Sequence, residues 1–364
     1  MTHITAAVTS LIRFRIAVTC IVMVIPGCSK PGPVTVDPPA DQPRVGNRIL
    51  YSANYGDGTF GIDWCEYDGS RRQTLLKPHW VLVSQPRGGR FVAMRYSGTD
   101  SLGAKDSLFV VNIADRRQTL IGVFNGYPAD NGILSPDGLK VLLVSGELPT
   151  KLTIANVDGT GRQTIVSDAY VMVEPSFSPD GRMIAYAREG RDWDRASLHV
   201  VGADGTNDHE IVDSLNIKDG NRVSWSPDGR RIAYTGFDGR QSTVSVVNAD
   251  GSDRRHLTDG GQNDFDPAWS PDGLQIAFTT SPHFTSRKEI AVINVDGSDR
   301  QDVTATPDEH EGNAQWSPDN RRLLLSSSRV SVPASLRVLG LSSGTMTTID
   351  SAMTGQGYWD YSSR

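Results

Sequence analysis

The chain has 364 residues, with 36 Lys and Arg against 42 Asp and Glu for a net charge of −6, and it carries 36 Gly and 20 Pro. That acidic balance excludes nucleic acid as the main partner, and turn formers scattered along the whole length exclude a bundle of membrane helices. Three cysteines are too few for a disulfide framework.

In chain order, the first expected element is an export signal. Residues 1–15 include Arg13 and Arg15 and no acid, and IAVTCIVMVIPG then runs apolar for twelve residues up to Cys28. A bilayer span needs about 20 such residues, so the stretch reads as a signal peptide over 1–27. Ile25-Pro26-Gly27-Cys28 resembles the lipobox of bacterial lipoproteins, although Pro26 departs from the usual small residue. The resemblance implies that Cys28 becomes a lipidated N-terminus, and Ser29 in place of Asp implies the outer membrane, facing the periplasm. Losing two Arg with the signal leaves 34 − 42 = −8. Residues 28–46 are Pro-rich and form a tether that would reach about 50 Å at about 3.1 Å per residue.

Residues 47–364 repeat themselves. LSPDGLKVLLV (134–144), FSPDGRMIAYA (177–187), WSPDGRRIAYT (225–235), WSPDGLQIAFT (269–279) and WSPDNRRLLLS (316–326) place the Ser at 135, 178, 226, 270 and 317, at intervals of 43, 48, 44 and 47. That period is one propeller blade. A second signal follows within each period: NVDGTGR (156–162), GADGTND (202–208), NADGSDR (248–254) and NVDGSDR (294–300). Pro presets φ, Asp bonds local amides, and Gly accepts a positive φ, so both strings are hairpin turns. Each joins two strands, giving four antiparallel strands per unit. In RIAYT, Ile232 and Tyr234 face one way and Ala233 the other, apolar on both sides, as a sheet covered by neighbours on both faces requires. Trp225, Trp269 and Trp316, with Phe177 and Leu134 in the same slot, are expected between blades.

The ends are worn copies. SQPRGGRFVAM (84–94) fills the SPDG slot, NRILYSANYGDG (47–58) matches only the strand after it, and GQGYWDYSS (355–363) supplies the missing first strand with Trp359 in the Trp slot. The expected fold is all-β, a seven-bladed β-propeller closed by pairing of its N- and C-terminal strands, or six-bladed if the last segment does not pair. Cys65 aligns with Val247 and is expected as a buried small hydrophobe.

These repeats resemble the TolB-type propeller, whose unit reads W-S-P-D-G-[RK]-x-I-A-[FY] followed by an N-x-D-G-[ST] hairpin. The resemblance covers essentially all of residues 47–364 and implies the fold strongly and the function weakly, since scaffolds, peptidase propellers and a class of polysaccharide lyase share it. It implies a TolB-like propeller lipoprotein. GLSSG (340–344) matches a serine-hydrolase pattern but sits in a hairpin slot with no His after it, which gives Ser342 no catalytic role. The DGSD strings lack the distant Glu of a calcium loop. The rival to a binding protein is a metal-dependent, oligogalacturonate-type lyase. Of His79, His199, His209, His256, His283 and His310, only His79, His283 and His310 fall in segments able to meet on one face, fewer than such lyases use.

Strand parity puts the uniform SPDG and DGS turns on one face and the variable connections on the other. On the variable face, Tyr127, Tyr170, Trp193, Phe265 and Phe284 are expected as exposed aromatic contacts. Asp130, Glu174, Asp264, Asp266, His283, His310 and Glu311 are expected near the channel mouth, where converging acids would suit a basic group or a divalent cation. The expectation is a monomeric, non-catalytic, lipid-anchored envelope propeller needing no cofactor. It binds a protein or cell-wall component, touches the membrane through its lipid only and does not bind nucleic acid.

Overall fold

The computed structural model describes residues 48–95, 105–125, 132–144, 150–168, 172–189, 196–215, 222–282, 287–306, 308–329, 332–351 and 357–361. Every regular element among them is a strand, and the strands form seven four-stranded antiparallel sheets. Six sheets use consecutive strands. Their first strands are Trp80–Leu82 (blade 2), Gly132–Leu134 (blade 3), Met172–Phe177 (blade 4), Ser224–Trp225 (blade 5), Asn263–Trp269 (blade 6) and His310–Trp316 (blade 7).

Blade 1 is composite. Its outer three strands, Arg48–Asn54, Phe60–Glu66 and Gln73–Leu76, come from the beginning of the propeller, and Gly357–Trp359 from its end adds the first strand. The register pairs Ile49 with Trp359, Leu50 with Tyr358 and Tyr51 with Gly357. Seven blades and closure by the two ends are thus both present, as the worn copies predict. Gly357 has a packing reason: a Cβ there would stand 2.6 Å from Leu336 Cδ2 of blade 7.

The SPDG string folds as its chemistry dictates. In blade 4 the Gly181 amide donates to the Ser178 carbonyl at 2.8 Å with Gly181 at φ +70°, the turn and left-handed residue that close a tight hairpin. The Ser178 hydroxyl donates to Asp180 at 2.6 Å while accepting the Met183 amide at 2.9 Å, and Asp180 also accepts the Arg182 amide at 3.1 Å. Blades 3, 5, 6 and 7 repeat the Ser to Asp bond at 2.5–2.6 Å. Asn320 replaces the glycine in blade 7 and adopts φ 60°, a conformation Asn tolerates best after Gly.

Apolar clusters fill the gaps between blades. Ile232 and Tyr234 pack with Leu198 and Val200 of blade 4, whereas Ala233 packs with Ile276 and Phe278 of blade 6. This is the two-faced burial expected of RIAYT. The seam between blades 7 and 1 is sealed by Trp359 with Tyr51, Leu324 and Leu336, all at most 2% exposed. Cys65 is in the same cluster, and burial pushes its thiol up to about 12, so it packs as a hydrophobe.

One expectation about strand limits is corrected. The variable connections are shorter than expected: Phe265, Asp264, Asp266, His310 and Glu311, placed in them by the sequence, belong to the first strands Asn263–Trp269 and His310–Trp316, and Glu174 belongs to Met172–Phe177. Each of these strands carries a bulge, between Val173 and Ser176, Phe265 and Ala268, and Gly312 and Gln315. Asp266 and Asn313 take φ 54° and 55° there. A bulge offsets the alternation of side chains, so the residues before it face differently from those after it.

Candidate functional site at the channel mouth

The first strands of blades 4, 5, 6, 7 and 1 neighbour one another in turn, and a cavity of about 440 Å³ opens on the side of the SPDG turns, the face opposite the one on which the sequence placed the channel mouth. Its rim is one position of the repeat. Pro136, Pro179, Pro227 and Pro271 stand there in blades 3 to 6, and Gln85 and Tyr361 fill the same slot in the worn blades 2 and 1. Below the rim, Phe177, Trp225, Trp269, Trp316 and Tyr358 form an aromatic wall.

The wall is stitched by indole N–H groups. Trp225 Nε1 donates to the Ser176 carbonyl at 3.1 Å, Trp316 Nε1 to Ala268 at 2.9 Å and Trp359 Nε1 to Gln315 at 3.1 Å. In every case the acceptor is the residue just before the Phe or Trp of the preceding blade, so each bond ties one inner strand to the next. Trp269 departs from the series: its backbone amide bonds Ser224 Oγ at 3.0 Å, while its buried Nε1 has no acceptor.

Two arginines enter the cavity. Arg87 lies 4.9 Å over the Tyr361 ring and donates to Gln85 Oε1 at 2.9 Å. Arg222 stands three residues before Trp225 of blade 5, and its Nη1 donates to the Ala314 carbonyl of blade 7 at 3.0 Å. Gln315 also lines the cavity and donates to the Gly357 carbonyl at 2.9 Å, leaving Oε1 without a donor.

The residues singled out in the sequence are distributed differently. Tyr127, Asp130, Tyr170, Trp193, His283, Phe284 and Cys28 lie outside the described residues, and Glu174 is placed by its backbone in the first strand of blade 4. Phe265 is a correction: it is 3% exposed, inside the bulged strand of blade 6, with the Lys288 ammonium 4.9 Å over its ring, and offers no exposed aromatic surface. Asp264 is fully buried and held by Arg300 at 2.7 Å, so it faces blade 6 packing and not the mouth. Glu311 is likewise fully buried, accepting from Thr306 Oγ1 at 2.5 Å and Ser327 Oγ at 3.2 Å. Burial, opposed by the Thr306 bond and reinforced by nearby Glu289, holds its carboxyl above the usual range. His310 is half-buried at the start of the same strand, and the Asp266 amide donates to Thr235 Oγ1 at 3.2 Å.

For the lyase alternative, His79 packs edge-on to Phe60 at 5.4 Å, and among the described residues no three His, Cys, Asp or Glu side chains assemble into a metal-binding group. Ser342 lies in the exposed turn between Val332–Gly340 and Met346–Asp350, as its hairpin slot predicts.

Sequence reasoning passed over Arg87, Arg222 and the SPDG side of the axis. A uniform turn looks uninformative by itself, but a ring of uniform turns encloses a hole. A usable signal was present: the position three before the Phe or Trp reads Glu174, Arg222, Asp266 and Asn313, and only one of these is a cation.

A closed ring of four-stranded blades with a walled axial cavity defines a β-propeller. The TolB beta propeller domain model matches residues 187–359. The Tol-Pal system protein TolB of Anaeromyxobacter dehalogenans is 29% identical over 119 residues, 32% of this chain and 26% of that protein. Its counterpart in Thioalkalivibrio sulfidiphilus is 35% identical over 85 residues, 23% and 19% of the two chains. The matches therefore span about a quarter or less of those relatives. A solved structure assigned as TolB from Agrobacterium tumefaciens superposes with a TM-score of 0.55 at 20% identity, covering 71% of this chain and 92% of that one. Oligogalacturonate lyase from Vibrio parahaemolyticus superposes with a TM-score of 0.59 at 13% identity, covering 83% and 86%, a likeness of fold alone. The chain is a β-propeller whose residues 187–359 are similar to the TolB propeller domain.

Proposed function

We propose that this chain is a non-catalytic binding propeller of the bacterial cell envelope, held to a membrane by lipid on Cys28 and docking a protein partner at its channel mouth. The cavity of about 440 Å³ with its aromatic wall carries the reading, because it combines apolar surface with a few convergent polar groups. The variable connections would add contacts on the opposite face through Tyr127, Tyr170, Trp193 and Phe284. The similarity to Tol-Pal system proteins supports an envelope setting, and the lipobox resemblance supports the periplasmic side of the outer membrane.

Two experiments test this. Cys28→Ala should move the protein from the membrane to the soluble fraction and abolish labelling by a clickable fatty acid; retention in the membrane would refute the anchor. Affinity capture from detergent-solubilised envelope should recover a defined protein that Trp225→Ala loses. An unchanged capture profile for a folded Trp225→Ala would remove the mouth as the docking site.

A further inference from the structure

The mouth cavity inverts the charge of the chain that forms it. The protein has 42 acidic and 36 basic residues, yet among the described residues that line the cavity the only charged ones are Arg87 and Arg222, with no Asp or Glu. The carboxylates of the adjoining SPDG turns are engaged with their own Ser hydroxyls and backbone amides, as Asp180 and Asp228 illustrate.

Arg222 is placed to use that charge. It spends one of its five N–H groups on the Ala314 carbonyl, and no described carboxylate forms an ion pair with it. Its counterparts in blades 4, 6 and 7 are Glu174, Asp266 and Asn313, so the cation is specific to one blade of an otherwise acidic or neutral series. A guanidinium within low-dielectric walls attracts anions over a distance and clamps a carboxylate with two parallel bonds.

The cavity opens among the short SPDG turns, and its volume suits a few side chains and not a folded body. We propose that the mouth cavity receives an acidic peptide segment of the docked partner, seating a carboxylate on Arg222 with Arg87 drawing it in at the rim. This rests on the reading of the mouth as a protein-docking site and names the chemistry it selects.

The test is selection of random displayed heptapeptides on the purified full chain, followed by titration of synthetic versions using the intrinsic tryptophan fluorescence of the wall. Enriched peptides should contain Asp or Glu, and exchanging that residue for Asn or Gln should weaken binding at least about tenfold. Arg222→Gln should erase this preference, Arg222→Lys should reduce it by keeping a donor for Ala314 while losing the planar fork, and Asp266→Asn should keep it. Free glutarate should not compete at concentrations where the peptide saturates. Acid-free winners, binding indifferent to folded Arg222→Gln or Arg222→Lys, or equal competition by glutarate would each overturn the inference while leaving the mouth as a docking site. An absence of any enriched peptide would overturn the docking reading as well.

Discussion

The Arg222 guanidinium lies 3.0 Å from the Ala314 carbonyl oxygen, a bond from blade 5 to blade 7 that passes over blade 6. The indole bonds run between adjacent blades, so this one differs in joining two blades that are not neighbours. The same residue thus has a structural bond and unspent donors. Thermal melting separates the two: Arg222→Lys should melt close to the wild type, and Arg222→Ala should lose about 1 kcal/mol, the net value of one hydrogen bond. A loss several times larger would make Arg222 a structural pin.

The indole stitches make a graded prediction. Trp225→Phe, Trp316→Phe and Trp359→Phe should each lose about 1 kcal/mol for the bond beyond the cost of the smaller ring. Trp269→Phe removes a donor that has no acceptor, so it should cost the least of the four. Chemical denaturation of the four variants, with unchanged slopes, measures the order.

Closure depends on three residues. Gly357–Trp359 cover Ile49, Leu50 and Tyr51 and insert a fully buried indole between blades 7 and 1. Trp359→Ala should cost about 3–5 kcal/mol as a large core truncation, and Gly357→Leu, which collides with Leu336, should be similarly damaging. A chain ending at Ser351 should melt well below the full chain; an unchanged melting temperature would mean the ring does not need its clasp.

Acid should loosen the turns. The Ser178 hydroxyl and the Arg182 amide hold the Asp180 carboxyl below its usual range, and Ser226 with the Arg230 amide does the same for Asp228. A folded value below the unfolded one contributes stability that is present above the unfolded value, about 4, and lost as pH falls through the folded value. Melting temperature should fall below about pH 4, and the double variant Asp180→Asn, Asp228→Asn should be less stable at neutral pH with a flatter acid limb.

Two glutamates on one strand approach should behave oppositely. Arg337 and Arg329 hold Glu309 low, whereas burial holds Glu311 high. For Glu311 the folded form binds its proton more tightly, so its contribution is present at low pH and lost as pH rises through the folded value. Glu311→Gln should therefore gain on the wild type between pH 4 and pH 7, and Glu309→Gln should lose ground over the same interval. Melting curves at both pH values read out the two signs.

The fold was legible because the turns are chemical statements. Ser-Pro-Asp-Gly can hardly avoid a tight hairpin, its spacing counts blades, and the worn copies at Asn47 and Gly355 imply a composite blade. The site was less legible for a definite reason. Phe265 and Asp264 were read as part of a variable connection, whereas they lie in the first strand of blade 6, and that strand is extended by backbone pairing with Thr279 and Thr280, not by local composition. Arg222 was visible as an odd member of its column, but that its side chain reaches Ala314 two blades on depends on the ring diameter, which no single repeat encodes.

The central claim is that the mouth on the SPDG side is where this propeller docks its partner. A photo-activatable phenylalanine analogue placed at Gln85 on the rim, and separately at the exposed Phe237 on the other side, tests it directly in intact cells. The account predicts a discrete protein adduct from position 85. Adducts from position 237 with none from position 85 would contradict it.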